Sequence, residues 1–478
     1  MTKLYQNYID GKFVVHNSSN VTEVLNPATH ELLAHTPSTT REVVDEAVDA
    51  ARKAQVGWAK LPAIQRAVYL RKVAEKIREN KEKLAVIITQ EQGKILDLAR
   101  IEVDFTADYI DYMAEWARRI EGEIIPSDRV NENIFLMRRP IGVTAGILPW
   151  NFPFFLIARK MAPALITGNT IVIKPSEETP INAFEFARLV DEAGLPPGVF
   201  NLVGGSGSDV GAQLVDHPNI DLVSFTGSVS TGKKIMMSAA RNLTRVNLEL
   251  GGKAPAIVLA SADLDLAAKA ICDSRIINSG QVCNCVERVY VERSVSAEFI
   301  DKITSRMAAI RYGDPMKDKD LDMGPLMNQQ SLDRIAAMVI KAKEDGADVL
   351  VGGGLGHFEQ GFHYQPTVIT NCSHDMEIMR EEIFGPVLPI QIVDSMEEAI
   401  SLSNDSEFGL TSSIFTRDLS KAMQACNELQ FGETYINREH FEAMQGFHAG
   451  RRNSGIGGAD GKHGLLEYTE TQVIYMQY

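Results

Sequence analysis

Two thiols stand close together in Asn278-Ser279-Gly280-Gln281-Val282-Cys283-Asn284-Cys285, within a chain of 478 residues that has only five cysteines. A thiol attacks carbon as the thiolate, so a nucleophilic cysteine here needs surroundings that favour the anion. It also needs a second group that removes whatever is transferred to sulfur. A carboxylate in an unusual setting is the first partner to look for. Val246-Asn247-Leu248-Glu249-Leu250-Gly251-Gly252-Lys253 holds one: Glu249 lies between leucines in a run that otherwise reads as a buried strand. Read blandly, Glu249 is an exposed charge at a strand end. Its apolar neighbours favour a buried carboxyl, whose pKa rises toward the range where it serves as a base. A third polar group, Asn151, sits between Trp150 and Phe152. An amide there is either a hydrogen-bonding member of the core or a donor to a developing oxyanion.

Phe225-Thr226-Gly227-Ser228-Val229-Ser230-Thr231-Gly232-Lys233-Lys234 follows a strand pattern, opens a helix, and nearly matches the phosphate-cradling GxxxxGK[ST] loop. Position 234 is Lys where that loop carries a magnesium-binding hydroxyl, which argues against NTP hydrolysis. A dinucleotide pyrophosphate needs only glycines and a helix N-terminus and fits better. A plain strand-to-helix turn would be an equal reading without the other motifs. Leu202-Val203-Gly204-Gly205-Ser206-Gly207 is a second glycine-rich turn without GxGxxG spacing, and reads as a turn rather than a phosphate site. Cys272, Cys372 and Cys426 have no motif around them and read as small core residues. His440, His448 and His463 lack metal-ligand spacing, so no metal is expected.

The elements that must hold these residues alternate. Strands are predicted at Val143 to Leu148, Thr170 to Lys174, Val199 to Val203, Leu222 to Phe225 and Arg245 to Leu250, with helices between them. That pattern predicts an α/β parallel sheet covered on both faces, with a nucleotide site at the carboxyl ends of its strands. A second cycle of strands and helices runs from Pro255 to about Asn437. Before the first cycle, Asn7 to Val14 reads as a peripheral hairpin turning at Asp10-Gly11. A helical layer follows: one helix from Thr39, with Ser38 and Thr39 available as caps, then Ile64 to Gln90 and Leu98 to Arg119. Residues 121–137 lose helical periodicity, and the terminal Thr471 to Met476 reads as a strand inviting a partner segment or chain.

Forty-eight basic against 63 acidic residues give a net charge of −15, which repels nucleic acid and anionic membranes. The length calls for two or more domains. Five cysteines without a CxxC pair, and no secretory leader, point to a reducing compartment, the cytoplasm. The longest apolar run, Gly146 to Ala158, is too short and too interrupted to span a bilayer.

LELGGK and GQ-x-C occur together with Pro149-Trp150-Asn151-Phe152-Pro153, Lys174-Pro175-Ser176-Glu177 and Glu381-Glu382-Ile383-Phe384-Gly385-Pro386. In order and spacing these five motifs resemble the NAD(P)-dependent aldehyde dehydrogenase superfamily over nearly the whole chain. The resemblance implies that fold: a Rossmann-type cofactor domain (1–119 and 140–251), a second α/β catalytic domain (252–452) and a small oligomerisation strand element (120–139 and 465–478). It implies Cys283, rather than Cys285, as nucleophile, Glu249 as base, and Asn151 with the Cys283 backbone N–H as oxyanion donors. NAD would meet Trp150, Lys174, Glu177, Gly227, Ser228, Gly232, Leu250, Glu382 and Phe384. A carboxylate at Glu177 accepts a ribose 2′-hydroxyl and repels a 2′-phosphate, which favours NAD over NADP. The implied assembly is a homo-oligomer, a dimer of dimers.

Asn284 and the late loop Tyr435 to Gly450 are rich in donors and acceptors. They resemble bacterial dehydrogenases of lactaldehyde and glycolaldehyde, which implies a small hydroxyaldehyde held by Asn151, Arg159, Asn284, Glu442 and His448. The opposing reading is a loop polar through exposure, lined by Phe441 and Phe447. The runner-up substrate is a carboxylated semialdehyde such as succinic semialdehyde, with Arg159, Arg438 or Arg451 as anion clamp. A CoA-acylating relative would not need Glu249, and a catalytically retired structural protein of this fold would not need the three reactive residues.

Overall fold

A computed structural model describes residues 3–14 and 21–478. Its largest sheet runs in the spatial order Gly455–Ile456, Arg245–Glu249, Leu222–Thr226, Val143–Ile147, Thr170–Lys174, Phe200–Leu202, Asn7–Ile9, Lys12–Val14. The five central strands are parallel, and the strands at both edges are antiparallel. Chain order reverses beside Val143–Ile147, so the crevice at its carboxyl end is the switch point where doubly wound sheets take ligands. Leu148-Pro149-Trp150-Asn151 leave the sheet at that point.

Strand alternation sorts the core onto two faces. Ile171 and Ile173 pack with the helices Ala63–Glu79, Leu96–Glu115, Pro153–Thr167 and Ile181–Glu192, while Val172 joins Val43, Val44 and Ala47 of the helix Arg41–Lys60. The second sheet, Asp348–Val351, Thr367–Thr370, Val387–Val393, Arg288–Glu292, Pro255–Val258, Thr411–Phe415 and Glu433–Ile436, is parallel except for its first pair. A separate antiparallel sheet joins Glu123–Pro126, Glu132–Pro140 and Thr469–Gln477. The terminal strand therefore pairs within the chain, from Thr469 opposite Pro140 to Gln477 opposite Glu132. Ile124, Tyr475 and Met476 remain exposed on this sheet. Among the described residues no helix is long and apolar enough to cross a membrane.

Several local expectations are corrected. The helix expected over Ile64 to Gln90 is two, Ala63–Glu79 and Lys81–Gln92, because the Asn80 amide turns back to donate to Lys76 O (2.9 Å) and competes with the helical ladder. Thr39 caps nothing: it is buried, its hydroxyl donating to Gly204 O and accepting from Asn7 Nδ2 (3.0 Å). The hairpin Asn7 to Val14 is not a detached ribbon but extends the large sheet through Tyr8 opposite Leu202. Gly455–Ile456, too short to show a period, adds the other edge and places Gly455 opposite Glu249.

Candidate active site

The Cys283 loop, the candidate nucleophile loop, begins where the helix Leu264–Ile276 ends. Asn278, Ser279 and Gly280 then take positive φ in succession (48°, 58° and 75°). At Gly280 a side chain is excluded outright, since a Cβ would lie 2.3 Å from Gly385 O. The loop is held by its own polar groups. Gln281 Oε1 accepts from Met327 N (2.9 Å), Ser279 Oγ donates to Gly324 O (2.8 Å), and Arg275 Nη2 donates to Gly280 O (2.5 Å). The two neighbouring thiols come out differently. Cys283 opens to a narrow cavity of about 70 Å³ on one side and to a wide cleft on the other. Cys285 is fully buried, its Sγ 3.0 Å from Arg275 Nη2, and burial pushes its pKa up to about 12.

Asn151 is positioned by a buried ion pair. Glu102 Oε1 accepts from the N–H groups of Phe154 (2.9 Å) and Phe155 (3.1 Å), satisfying the free amides that open the helix Pro153–Thr167. Lys94 Nζ bonds Glu102 Oε2 (2.6 Å) and donates to Asn151 O (2.7 Å). Asn151 Nδ2 donates one hydrogen to Gln281 O (3.1 Å), which ties the amide to the nucleophile loop and leaves its second hydrogen for another acceptor.

Glu249 ends its strand 3% exposed, with neither carboxylate oxygen hydrogen-bonded. Burial raises its pKa to about 7 against the opposing charges of His448, Arg159 and Lys160. His448 Nε2 lies 3.6 Å from Glu249 Oε2, and its Nδ1 bonds Glu433 Oε1 at 2.5 Å. Burial and Arg159 press the imidazole pKa down, but Glu433 and Cys283 together lift it well above the ordinary value. Arg159 binds Asp460 through Nε (3.0 Å) and Nη2, and its Nη1 is 3.5 Å from Glu442 Oε1. Glu442 in turn accepts from Asn284 Nδ2. Asn151, Arg159, Asn284, Glu442 and His448 thus line one cavity with Glu249 and Cys283, and Phe105, Phe155, Phe441, Leu98 and His440 are among the residues that complete its wall. Phe441 lines this cavity; Phe447 does not, packing on His463 instead (5.3 Å between rings).

The wide cleft runs from Cys283 to the switch point, and its makeup suits a dinucleotide. Ser228 caps the helix Val229–Ala239 by accepting from Thr231 N, with Gly227 beside it. This gives free helix amides for a pyrophosphate. Thr226 Oγ1 is buried there without a partner. Lys174 Nζ bonds Glu177 Oε2 (3.1 Å), and Glu177 Oε1 accepts from Gly207 N (3.2 Å). Near Cys283 the cleft is walled by Trp150, Leu250, Glu382 and Phe384, the Trp150 and Phe384 rings meeting edge to face at 5.5 Å. Two further glycines bear on the cleft. Gly207 of the second glycine-rich turn faces this cleft and binds Glu177, so that turn is not merely a connection. At Gly232 a Cβ would lie 2.7 Å from both Leu250 methyls, so this glycine lets the helix approach Leu250, itself part of the cleft wall. Among the described residues no group of three or more His, Cys, Asp or Glu is placed to hold a metal ion.

A thiol between a narrow pocket and a wide cleft that suits a dinucleotide narrows the families greatly, and comparison with known proteins decides among them. The model of the aldehyde dehydrogenase family matches residues 13–474. The chain belongs to that family. It is therefore an oxidoreductase that oxidises an aldehyde with NAD or NADP. It is 58% identical to the lactaldehyde dehydrogenase of Escherichia coli (strain K12) over 98% of each chain. It is 43% identical to the 3,6-anhydro-alpha-L-galactose dehydrogenase of Vibrio sp. (strain EJY3) over 100% of each. The crystal structure of the Escherichia coli lactaldehyde dehydrogenase superposes with a TM-score of 0.99 at 57% identity, covering 100% of both chains. Within this aldehyde dehydrogenase, Glu433, Asp460 and Lys160 escaped the sequence reading. Glu433 stands between Gly432 and Thr434 and Asp460 in a glycine-rich stretch, so neither had the apolar neighbours that picked out Glu249.

Proposed function

We propose that this aldehyde dehydrogenase oxidises a small 2-hydroxyaldehyde, lactaldehyde or glycolaldehyde, to the acid with NAD. The observation that carries this reading is the polar wall of the Cys283 pocket, where Arg159, Glu442, Asn284 and His448 converge opposite the rings of Phe105, Phe155 and Phe441. A substrate hydroxyl adds a hydrogen bond to these largely charged groups, worth roughly 1.5–3 kcal/mol, which an analogue without it forgoes. The 58% identical relative named for lactaldehyde supports the same class. An anionic substrate is less well served. Arg159 is already engaged by Asp460 and Glu442, Arg438 by Glu439 and the Phe441 carbonyl, and Arg451 lies exposed outside the pocket.

Cys283 adds its sulfur to the aldehyde carbon, and the carbonyl oxygen takes the charge and is held by the free Asn151 hydrogen and the Cys283 amide. NAD, bound by the cleft residues from Glu177 to Phe384, supplies the hydride acceptor. A thioester then remains on Cys283. Glu249 takes a proton from water, the hydroxide adds to the thioester carbon, the C–S bond breaks, and the acid leaves. Glu249, lacking any hydrogen bond, is free to turn toward that water, which favours hydrolysis over transfer to CoA. Glu177 at the far end of the cleft favours NAD over NADP.

We place the cofactor domain at 1–119 and 140–251, the catalytic domain at 252–452 and the oligomerisation element at 120–139 and 465–478, in a cytoplasmic homotetramer. The exposed apolar side chains of the small sheet support the last point. The test of substrate is kcat/KM for lactaldehyde and glycolaldehyde against propanal and succinic semialdehyde, with NAD and NADP. Lactaldehyde is expected to lead propanal by at least about tenfold. Parity would remove hydroxyl recognition, and a lead for the semialdehyde would hand the pocket to its arginines.

A further inference from the structure

Phe384 is a non-glycine residue held at φ 51°, a left-handed backbone that persists only where the surroundings over-determine it. It sits in the segment Glu382–Phe384 that walls the cofactor cleft beside Trp150. The carbonyls of that segment are taken by Arg334, whose Nη1 donates to Glu382 O (3.0 Å) and Nη2 to Ile383 O (2.7 Å). Its amides go to a single buried carboxylate: Glu287 Oε2 accepts from Ile383 N (2.7 Å), and Oε1 from Phe384 N (3.1 Å). The same two oxygens bind Lys253 Nζ (3.0 Å) and Arg275 Nη1 (2.7 Å). Lys253 closes the turn after Glu249, and Arg275 holds the nucleophile loop through Gly280 O.

We propose that Glu287 is a positioning residue that clamps Phe384 in its left-handed conformation and sets the nicotinamide-side wall in register with the Cys283 loop. The inference rests on the reading of this cleft as a dinucleotide site. Without the carboxylate, the segment 382–384 loses the acceptor for two adjacent amides, and its strained shape becomes a minor conformer. Apparent cofactor affinity then falls by the fraction of chains still in the competent shape.

The test is the dissociation constant for NAD, measured by titration calorimetry on the full chain. Glu287→Gln preserves bulk but offers one acceptor oxygen to two amides, and is expected to weaken NAD binding by about tenfold or more. In a Phe384→Gly background the left-handed backbone needs no clamp, and the same change is expected to add less than about threefold. Should Glu287→Gln not fold, Glu287→Asp, which keeps the charge for Arg275 and Lys253 but withdraws the oxygens from the amides, is read the same way. An unchanged dissociation constant, or an equal loss in both backgrounds, would overturn the role of Glu287. A wild-type chain that binds neither NAD nor NADP would overturn the cofactor reading and this inference with it.

Discussion

Glu249 and Glu287 flank the nucleophile loop, are equally buried, and are set in opposite directions. Glu287 is saturated by two cations and two amides; although burial pushes its pKa up, Arg275 and Lys253 hold it down at about 2. Glu249 has cations nearby but no hydrogen bond to either oxygen, and burial carries it to about 7. Burial alone therefore does not decide what a carboxylate does. A carboxylate whose lone pairs are all committed fixes loops in place, and one with none committed stays free to take a proton. On the proposed roles, the cofactor side of the loop is built on the first kind and the hydrolytic side on the second.

The sharpest break in this comparison concerns the thiols that the two sides share. Cys283→Ala is expected to abolish aldehyde oxidation, while Cys285→Ala, which alters only a buried thiol beside Arg275, retains most of the rate; the reverse in a steady-state assay would move the nucleophile. Next comes stability. Glu287→Ala leaves Arg275 and Lys253 buried without their carboxylate and is expected to destabilise by about 3–5 kcal/mol. Glu249→Gln removes a charge that has no hydrogen bond, so at pH 8 chemical denaturation should find it no less stable than wild type.

The pH dependence separates the pair further. Glu249 has a folded pKa raised from 4.5 to about 7, so its contribution to stability is present below pH 4.5 and lost as pH rises through 7. Glu287 has a folded pKa lowered from 4.5 to about 2, so its contribution is present above pH 4.5 and lost as pH falls toward 2. Thioester hydrolysis should accordingly rise with pH through about 7, following the basic form of Glu249, and a rate flat from pH 6 to 8 would count against it. The smallest effect is expected at the far end of the cleft. Glu177→Gln should shift the NADP to NAD ratio of kcat/KM upward by roughly tenfold, since one carboxylate repulsion is lost while a hydrogen-bond acceptor remains.

The α/β alternation was legible because each central strand is a continuous apolar run between turn residues; Cys283, Glu249 and Asn151, singled out as reactive types in settings that suited them poorly as surface residues, are brought by the structure to one cavity. What escaped detection depends on partners distant in sequence. Glu287 stands between Val286 and Arg288, without the flanking leucines of Glu249, and only the arrival of Ile383, Arg275 and Lys253 reveals its partners. Gly455–Ile456 escaped because two residues have no period.

The most direct measurement of the central claim is intact-protein mass spectrometry of Glu249→Gln mixed with NAD and lactaldehyde. If Cys283 carries the thioester and an uncommitted Glu249 activates its water, the variant should form NADH in a single burst and accumulate an acyl adduct that maps to Cys283, with turnover slowed by about 10²–10⁴-fold. A slowed variant whose Cys283 stays unmodified would contradict the account.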